Sequence, residues 1–238
     1  MTLGRIHSFE SMGLVDGPGI RTVVFMQGCA LRCSYCHNPD TWIFAGGTEI
    51  TPQELVKKII RFKPYFKDGG GVTFSGGDPL MQPDFLVETL KLCKDAGIHT
   101  TIDTAGYGRG GYEEILKYID LVLLDIKHVT DEGYKDLTGA SKRGFDEFLD
   151  AVQKAGTKLW IRHVIVPGIT DSKEHILKLA GMIRNIKNVE KIELLPYHTL
   201  GVDKYKKLGI EYKLENVETM DEEDLKELEN TLKEELNN

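Results

Sequence analysis

The sequence predicts an α/β fold of about six β–α units, with parallel strands and a closing C-terminal helix. Apolar, β-branched runs alternate with amphipathic stretches of helical period along the chain. Residues 121–126 are almost free of polar side chains, as in a strand covered on both faces. Gly97, Gly156, Pro167-Gly168 and Pro196 punctuate the runs where helices or strands should stop. Short right-handed crossovers leave two architectures open, a doubly wound open sheet and a barrel-like (β/α)6 sheet. Both gather function at the C-terminal ends of their strands.

In chain order, residues 20–27 read as the first strand and 52–66 as a helix. Thr51 is the N-cap of that helix, Glu54 completes a capping box, and Leu55, Ile59 and Phe62 share one face. Residues 72–74 form a short strand, 83–96 a helix ended by Gly97, and 98–102 a strand. A short helix over 112–118 leads into the strand 121–126. A helix over 145–155, a strand over 158–166, a helix over 172–186 and a strand over 189–195 follow. Residues 221–236 give a last helix, acidic with some Lys, whose Leu225, Leu228, Leu232 and Leu236 recur at helical spacing. It reads as a flap against the core, because its apolar repeat is too short for a coiled coil.

With 238 residues the chain suits one large domain, 1–238, with a sizeable core. Its 41% hydrophobic and 28% charged content is that of a globular protein. No apolar run approaches a membrane span, and residues 1–10 lack the apolar stretch of a secretory signal, so a cytoplasmic location is expected. The net charge of −7, with no basic stripe, argues against nucleic acid as a partner.

Three of the four cysteines fall in the loop 28–38, at the spacing Cys29-x3-Cys33-x2-Cys36. A tight cluster in a cytosolic-looking chain favours metal over disulfides. Three thiolates can hold three irons of a cubane that ordinarily takes four, leaving one iron open to another ligand. Cys93 follows Leu86 and Leu90 at helical spacing and reads as a small core residue. Tyr35 and Trp42 flank the loop and could shield it from water.

Polar chemistry recurs at the other predicted strand ends. Ser75-Gly76-Gly77-Asp78 follows the second strand, Asp103-Thr104 the third, and Asp125 with Lys127 the fourth. Arg162 lies in the fifth, and Tyr197-His198 follow the sixth. Singly, each has a plain structural explanation: a tight turn, a capped turn, an ion pair, a loop histidine. Jointly they imply one site that binds a polar, partly charged ligand beside a metal centre. The segment 16–21, beginning at Asp16, lies at the opposite end of the first strand, so an active-site role requires it to fold across the open edge. His7, His99, His128, His163 and His175 show no ligand pattern.

The cysteine run, with an aromatic before its third cysteine, resembles the signature of the radical S-adenosylmethionine superfamily. Residues 4–11, 16–21, 36–38 with 40–42, 160–162, 166–168 and 189–198 resemble the activases of glycyl radical enzymes, in particular those that serve pyruvate formate-lyase. The likeness runs over nearly the whole chain. It implies a partial (β/α)6 barrel and a [4Fe–4S] cluster on Cys29, Cys33 and Cys36. It further implies S-adenosylmethionine at the open iron and its reductive cleavage to a 5′-deoxyadenosyl radical. That radical takes hydrogen from a glycine Cα of pyruvate formate-lyase, with no catalytic side chain beyond cluster and cofactor. Tyr35, Cys36, His37, Gly76, Gly77, Asp125, Lys127, Arg162 and His198 would contact the cofactor. Asp103, Thr104 and Asp125 would hold a monovalent cation, and Asp16 would help receive the partner's glycine loop. An electron donor such as flavodoxin or ferredoxin and a monomeric state are implied as well.

The family's Gly-Gly-Glu reads Gly76-Gly77-Asp78 here, one methylene shorter, so backbone contacts should survive while a side-chain contact from position 78 is in question. No cysteine lies between Cys36 and Cys93, so no second cluster is expected. The competing readings are an anaerobic ribonucleotide reductase activase or small-molecule radical enzyme, a zinc module on Cys29, Cys33, Cys36 and His37, and a plain electron carrier.

Overall fold

The β-branched runs pair into one eight-stranded sheet in the order β3-β1-β2-β4-β5-β6-β7-β8. The strands are β1 (Gly4–Gly13), β2 (Arg21–Met26), β3 (Thr48–Ile50), β4 (Gly71–Gly76), β5 (His99–Thr104), β6 (Leu121–Asp125), β7 (Lys158–Ile165) and β8 (Val189–Pro196). The structure is a computed structural model that describes residues 2–67 and 69–237. β2 and β4 through β8 run parallel, each to the next. They are the six strands expected from sequence. The sheet does not close, since β3 and β8 are its two ends.

The helices are α1 (Pro52–Ile60), α2 (Pro83–Asp95), α3 (Tyr112–Leu116), α4 (Asp131–Thr138), α5 (Arg143–Ala155), α6 (Lys173–Ile183), α7 (Val202–Leu208) and α8 (Glu222–Asn237). Their apolar stripes cover the sheet: Leu55 and Ile59 from α1, Leu86, Leu90 and Cys93 from α2, Phe145 and Phe148 from α5, Ile176 and Leu179 from α6. Cys93 is therefore a core residue. α8 lies against α6 and β8, buries Leu232 and half-buries Leu225, Leu228 and Leu236.

Three differences from the sequence reading have physical causes. β1 and β3 add antiparallel to β2 and to each other. β1 interleaves polar residues and carries register shifts near Ile6–Ser8 and Glu10–Gly13, which hide its period of two. The helix expected over 52–66 stops at Ile60 and passes into a 3-10 turn, Lys63–Tyr65, because Pro64 lacks an N–H and disfavours a helical residue before it. α4 and α7 are too short, and α4 too polar, for their period to stand out. The capping box at Thr51 and Glu54 forms as expected.

The floor beneath the parallel strands is built around one side chain. Arg21, fully buried, donates to the Thr73 and Thr101 hydroxyls and to the carbonyls of Pro18, Gly69 and Val72. Burial lowers its pKa to about 10, so it remains charged at neutral pH. Thr73 in turn donates to the Asp16 carbonyl, so this arginine fixes the glycine-rich segment 16–19. Arg21→Met should cost about 3 kcal/mol, since the buried acceptors would lose their donors; urea unfolding of the two proteins measures the difference.

Candidate active site: a cysteine-lined cavity at the strand ends

A cavity of about 450 Å³ opens at the C-terminal ends of the parallel strands, within the range of small-molecule sites. Its lining includes Cys29, Cys33, Tyr35, Cys36, His37, Ser75, Gly76, Gly77, Asp103, Thr104, Asp125, Lys127, Arg162 and His198. Most of the residues that the sequence placed at successive strand ends thus meet in one cavity; Asp78 and Tyr197 do not line it, and the Tyr197 hydroxyl pairs with that of Tyr212 instead. Asp16 is not part of the lining. Its segment approaches from below, where Arg162 donates to the neighbouring Val15 carbonyl.

The loop that carries the cysteines has no strand or helix of its own, so other elements hold it. From α4, the Thr138 and Leu137 carbonyls accept the Arg32 and Ser34 amides at 2.8 and 2.9 Å, on either side of Cys33. From α7, Tyr205 donates to the Cys36 carbonyl at 3.0 Å, and Lys204 reaches Asn38 and Asp40 at 2.7 and 3.2 Å. Trp42 packs edge-on against Tyr205 and lies under Arg32.

All three thiols are free. Burial pushes the Cys33 thiol up to about 12 and raises Cys29 and Cys36 as well. A neighbouring cysteine's charge raises Cys29 and Cys33 further. Gathering three thiolates here therefore needs a strongly cationic group, which iron supplies. Among the described residues no three His, Cys, Asp or Glu side chains converge on the position of one metal ion. The donor set and its spacing fit a cluster.

The opposite wall is charged. Lys127 donates to one Asp125 oxygen at 2.5 Å, and the other Asp125 oxygen is buried without a partner. Burial works against the Lys127 charge, but Asp125, Tyr35 and Cys33 together outweigh it and hold the ammonium well above its usual pKa. Arg162 lies 3.1 Å from Glu193 and 3.7 Å from Asp103, which also accepts from Ser75 at 2.9 Å. Burial raises the Asp103 pKa against the pull of Arg162. His37 stacks on His198 with ring centres 3.9 Å apart, and burial with its neighbour His198 lowers His37 to about 4.

The glycine pair answers to backbone packing. A Cβ on Gly76, whose φ is +99°, would lie 2.4 Å from Met26 N, and one on Gly77 would lie 2.3 Å from the Gly28 carbonyl oxygen. The two glycines let the end of β4 press against the start of the cysteine loop, where the Asp78 amide bonds Gly28 O. The Asp78 side chain does not reach the cavity. It accepts from Leu80 N, Ala105 N and the Thr104 hydroxyl. Burial nevertheless pushes it up to about 7. The Thr104 hydroxyl also accepts from Gly106 N, so it is fully committed to this wall.

The histidines given no role by sequence include a buried relay. His163 Nδ1 lies 2.5 Å from the carbonyl oxygen of Ile126, between Asp125 and Lys127, and must therefore carry the proton. His163 Nε2 then accepts from His175 Nε2 at 3.0 Å, and His128 and His175 pack edge to face. Neither these contacts nor those of Tyr134, Glu193, Lys204 and Tyr205 were visible in the sequence. The available signs of α4 were Thr130 as N-cap before the acidic Asp131 and Glu132, and the pair Tyr134 and Leu137 with Gly139 as C-cap.

A partial parallel barrel with three cysteines and an open cavity at its strand ends is the architecture of one large enzyme class: the Radical SAM superfamily matches residues 23–180. Solved structures share it. SuiB of Streptococcus suis, solved with S-adenosylmethionine, aligns over 89% of this chain and 46% of its own, with TM-score 0.67 and 22% identity. A domain of pyruvate-formate lyase-activating enzyme from Bacteroides vulgatus aligns over 70% of this chain and 95% of its own, with TM-score 0.58 and 25% identity. The pyruvate formate-lyase-activating enzyme of Clostridium pasteurianum is 71% identical over 98% of this chain and 99% of its own. That of Staphylococcus epidermidis is 49% identical over 95% and 94%. The chain belongs to the family of pyruvate formate-lyase-activating enzymes.

Asp78→Ala would strand the buried Leu80 amide, the half-buried Ala105 amide and the Thr104 hydroxyl, and should cost about 3 kcal/mol in urea unfolding. His175, lowered to about 3 by burial and its neighbour His163, is neutral in the fold but takes a proton near 6.5 when unfolded. Its stabilising contribution is therefore complete above about pH 6.5 and declines as pH falls towards 3. The stability advantage of the native chain over His175→Gln should narrow across that window, by up to about 1.4 kcal/mol per pH unit.

Proposed function

We propose that this chain activates pyruvate formate-lyase by installing a glycyl radical in it, as a radical S-adenosylmethionine enzyme. The observation that carries this reading is the meeting of three thiols, with Cys93 held away in the core, and the polar strand ends in a single open cavity. When bound, the [4Fe–4S] cluster and S-adenosylmethionine supply reductive cleavage of the sulfonium to methionine and a 5′-deoxyadenosyl radical, the species that takes hydrogen from a glycine Cα.

Cys29, Cys33 and Cys36 hold the cluster. Tyr35, Cys36 and His37 touch the cofactor from the loop, and the Gly76-Gly77 backbone meets its amino group. Lys127, Arg162 and His198 orient it from the facing wall, where ion pairs already fix both cations in place. The free oxygen of Asp125 is available to a positive group, and with Asp103 it forms the basis of a monovalent cation site. Thr104 joins that site through its carbonyl, its hydroxyl being given to Asp78. Asp16, set by Arg21 and Thr73, helps receive the partner's glycine loop. No side chain needs to move a proton. The cavity walls position the reactants and keep water from the radical.

In this reading residues 1–238 serve as one domain, a monomer in the cytoplasm, with flavodoxin or ferredoxin as electron donor and neither nucleic acid nor membrane as partner. Among the described residues no helix is long and apolar enough to cross a membrane. Mixing the reconstituted protein anaerobically with pyruvate formate-lyase, reductant and S-adenosylmethionine should give a glycyl signal in electron paramagnetic resonance and 5′-deoxyadenosine. Cys33→Ala should reduce both to background. Cofactor cleavage with no glycyl signal would assign the chain to a different radical reaction.

A further inference from the structure

The end of β6 brings two charged side chains to the cavity, Asp125 and Lys127, with Ile126 between them. Ile126 lies just past the strand and is fully buried. Consecutive residues of β7 take both of its backbone groups. Its amide donates to the Arg162 carbonyl at 2.9 Å, and its carbonyl oxygen lies 2.5 Å from His163 Nδ1. A buried carbonyl needs a donor. Here, beyond the last ladder pair at Asp125 and Arg162, a side chain supplies it. That donor is itself held. His163 is fully buried, and burial lowers its pKa to about 4, so it is neutral with one ring proton. The carbonyl can only accept, which places the proton on Nδ1, and His175 of α6 meets the other nitrogen at 3.0 Å. On the far side of Lys127, His128 packs against His175 and over Gly133 of α4, where a Cβ would lie 2.0 Å from its ring.

We propose that His163 is a positioning residue for S-adenosylmethionine: by holding the Ile126 carbonyl it fixes the direction in which Lys127 enters the cavity beside Asp125. This inference rests on the function proposed above, in which both side chains lie around the cofactor. The physical reason is leverage. The Ile126 carbonyl belongs to the peptide that joins Ile126 to Lys127, so the atom His163 holds is the one that a turn of that peptide would move. Such a turn would carry the ammonium away from Asp125, which it reaches at 2.5 Å, and from the Tyr35 ring, whose centre is 5.2 Å away. The facing wall would then present its charges at the wrong place, and a charged ligand would bind less tightly. Groups one layer behind a site tune it in this way. His163 does not line the cavity and has no part in the hydrogen transfer.

The test compares His163→Asn with His163→Leu in the reconstituted holoenzyme. The Asn amide keeps a donor at the position of Nδ1, whereas Leu removes it, and both lose the contact to His175. Iron and sulfide equal to the native protein's are expected in each. The affinity for S-adenosylmethionine is read from the change it causes in the resonance of the reduced cluster. It should fall about tenfold in His163→Leu and stay within about threefold of native in His163→Asn. A native affinity in His163→Leu, with only the thermal midpoint lowered, would make the histidine merely structural and overturn the proposal. So would an equal loss of affinity in both variants. The native protein gives a check that does not depend on how the variants fold: nitrogen-correlated nuclear magnetic resonance of the oxidised holoenzyme should find the His163 proton on Nδ1. A proton on Nε2 would overturn the proposal. A native protein that holds no iron, or holds it and binds no S-adenosylmethionine, would overturn the proposed function instead.

Discussion

The cysteine loop has almost no regular structure, and everything the site does depends on where its backbone is held. Two short helices hold it. α4 takes the Arg32 and Ser34 amides on its terminal carbonyls, and α7 grips the far end through Tyr205 and Lys204. A helix C-terminus offers carbonyls that have no partner within the helix. The loop offers amides that a strand would have paired. Each satisfies the other's deficit, and Cys33 is fixed between the two contacts. From the sheet side, Gly28 is held against Gly77 and Asp78 by an approach that leaves no room for a side chain.

The second constraint is electrostatic. Three thiols are buried together, and facing them are Asp103 and Asp125, restrained by Arg162 and Lys127. Burial holds the thiols neutral, the surrounding acidic groups hold the lysine charged, and one carboxylate oxygen is left without a partner. Such a site is organised for charged ligands before they arrive, so little rearrangement is needed when they bind. The floor follows the same logic on a smaller scale, with Arg21 charged, buried and surrounded by oxygens.

The six parallel strands and the residues at their ends were legible in sequence, because β-branched runs and terminal polar residues are local signals. The cavity lining brings together every predicted cofactor-contact and cation residue, while Asp16 stays outside it. What was not legible depends on packing across distant parts of the chain. β1 looked polar because it lies towards the edge of the sheet. α4 and α7 carry too few apolar residues to announce themselves, and the partners of Tyr205 and His163 lie far away in sequence. Asp78 shows the limit well. Its identity raised a question about cofactor contact, but only the fold reveals that its side chain turns into the wall and ties Thr104 there.

The two-sided grip on the loop also has a consequence in time. Ser34 binds a carbonyl 103 residues further along the chain, and the Cys36 carbonyl waits for a hydroxyl 169 residues away. A chain made from its N-terminus exposes its three thiols early and cannot enclose them until most of its length has emerged. Throughout that interval they are accessible to oxidants and to stray metals alike. Enclosure of the thiols is therefore a late event in the making of the chain.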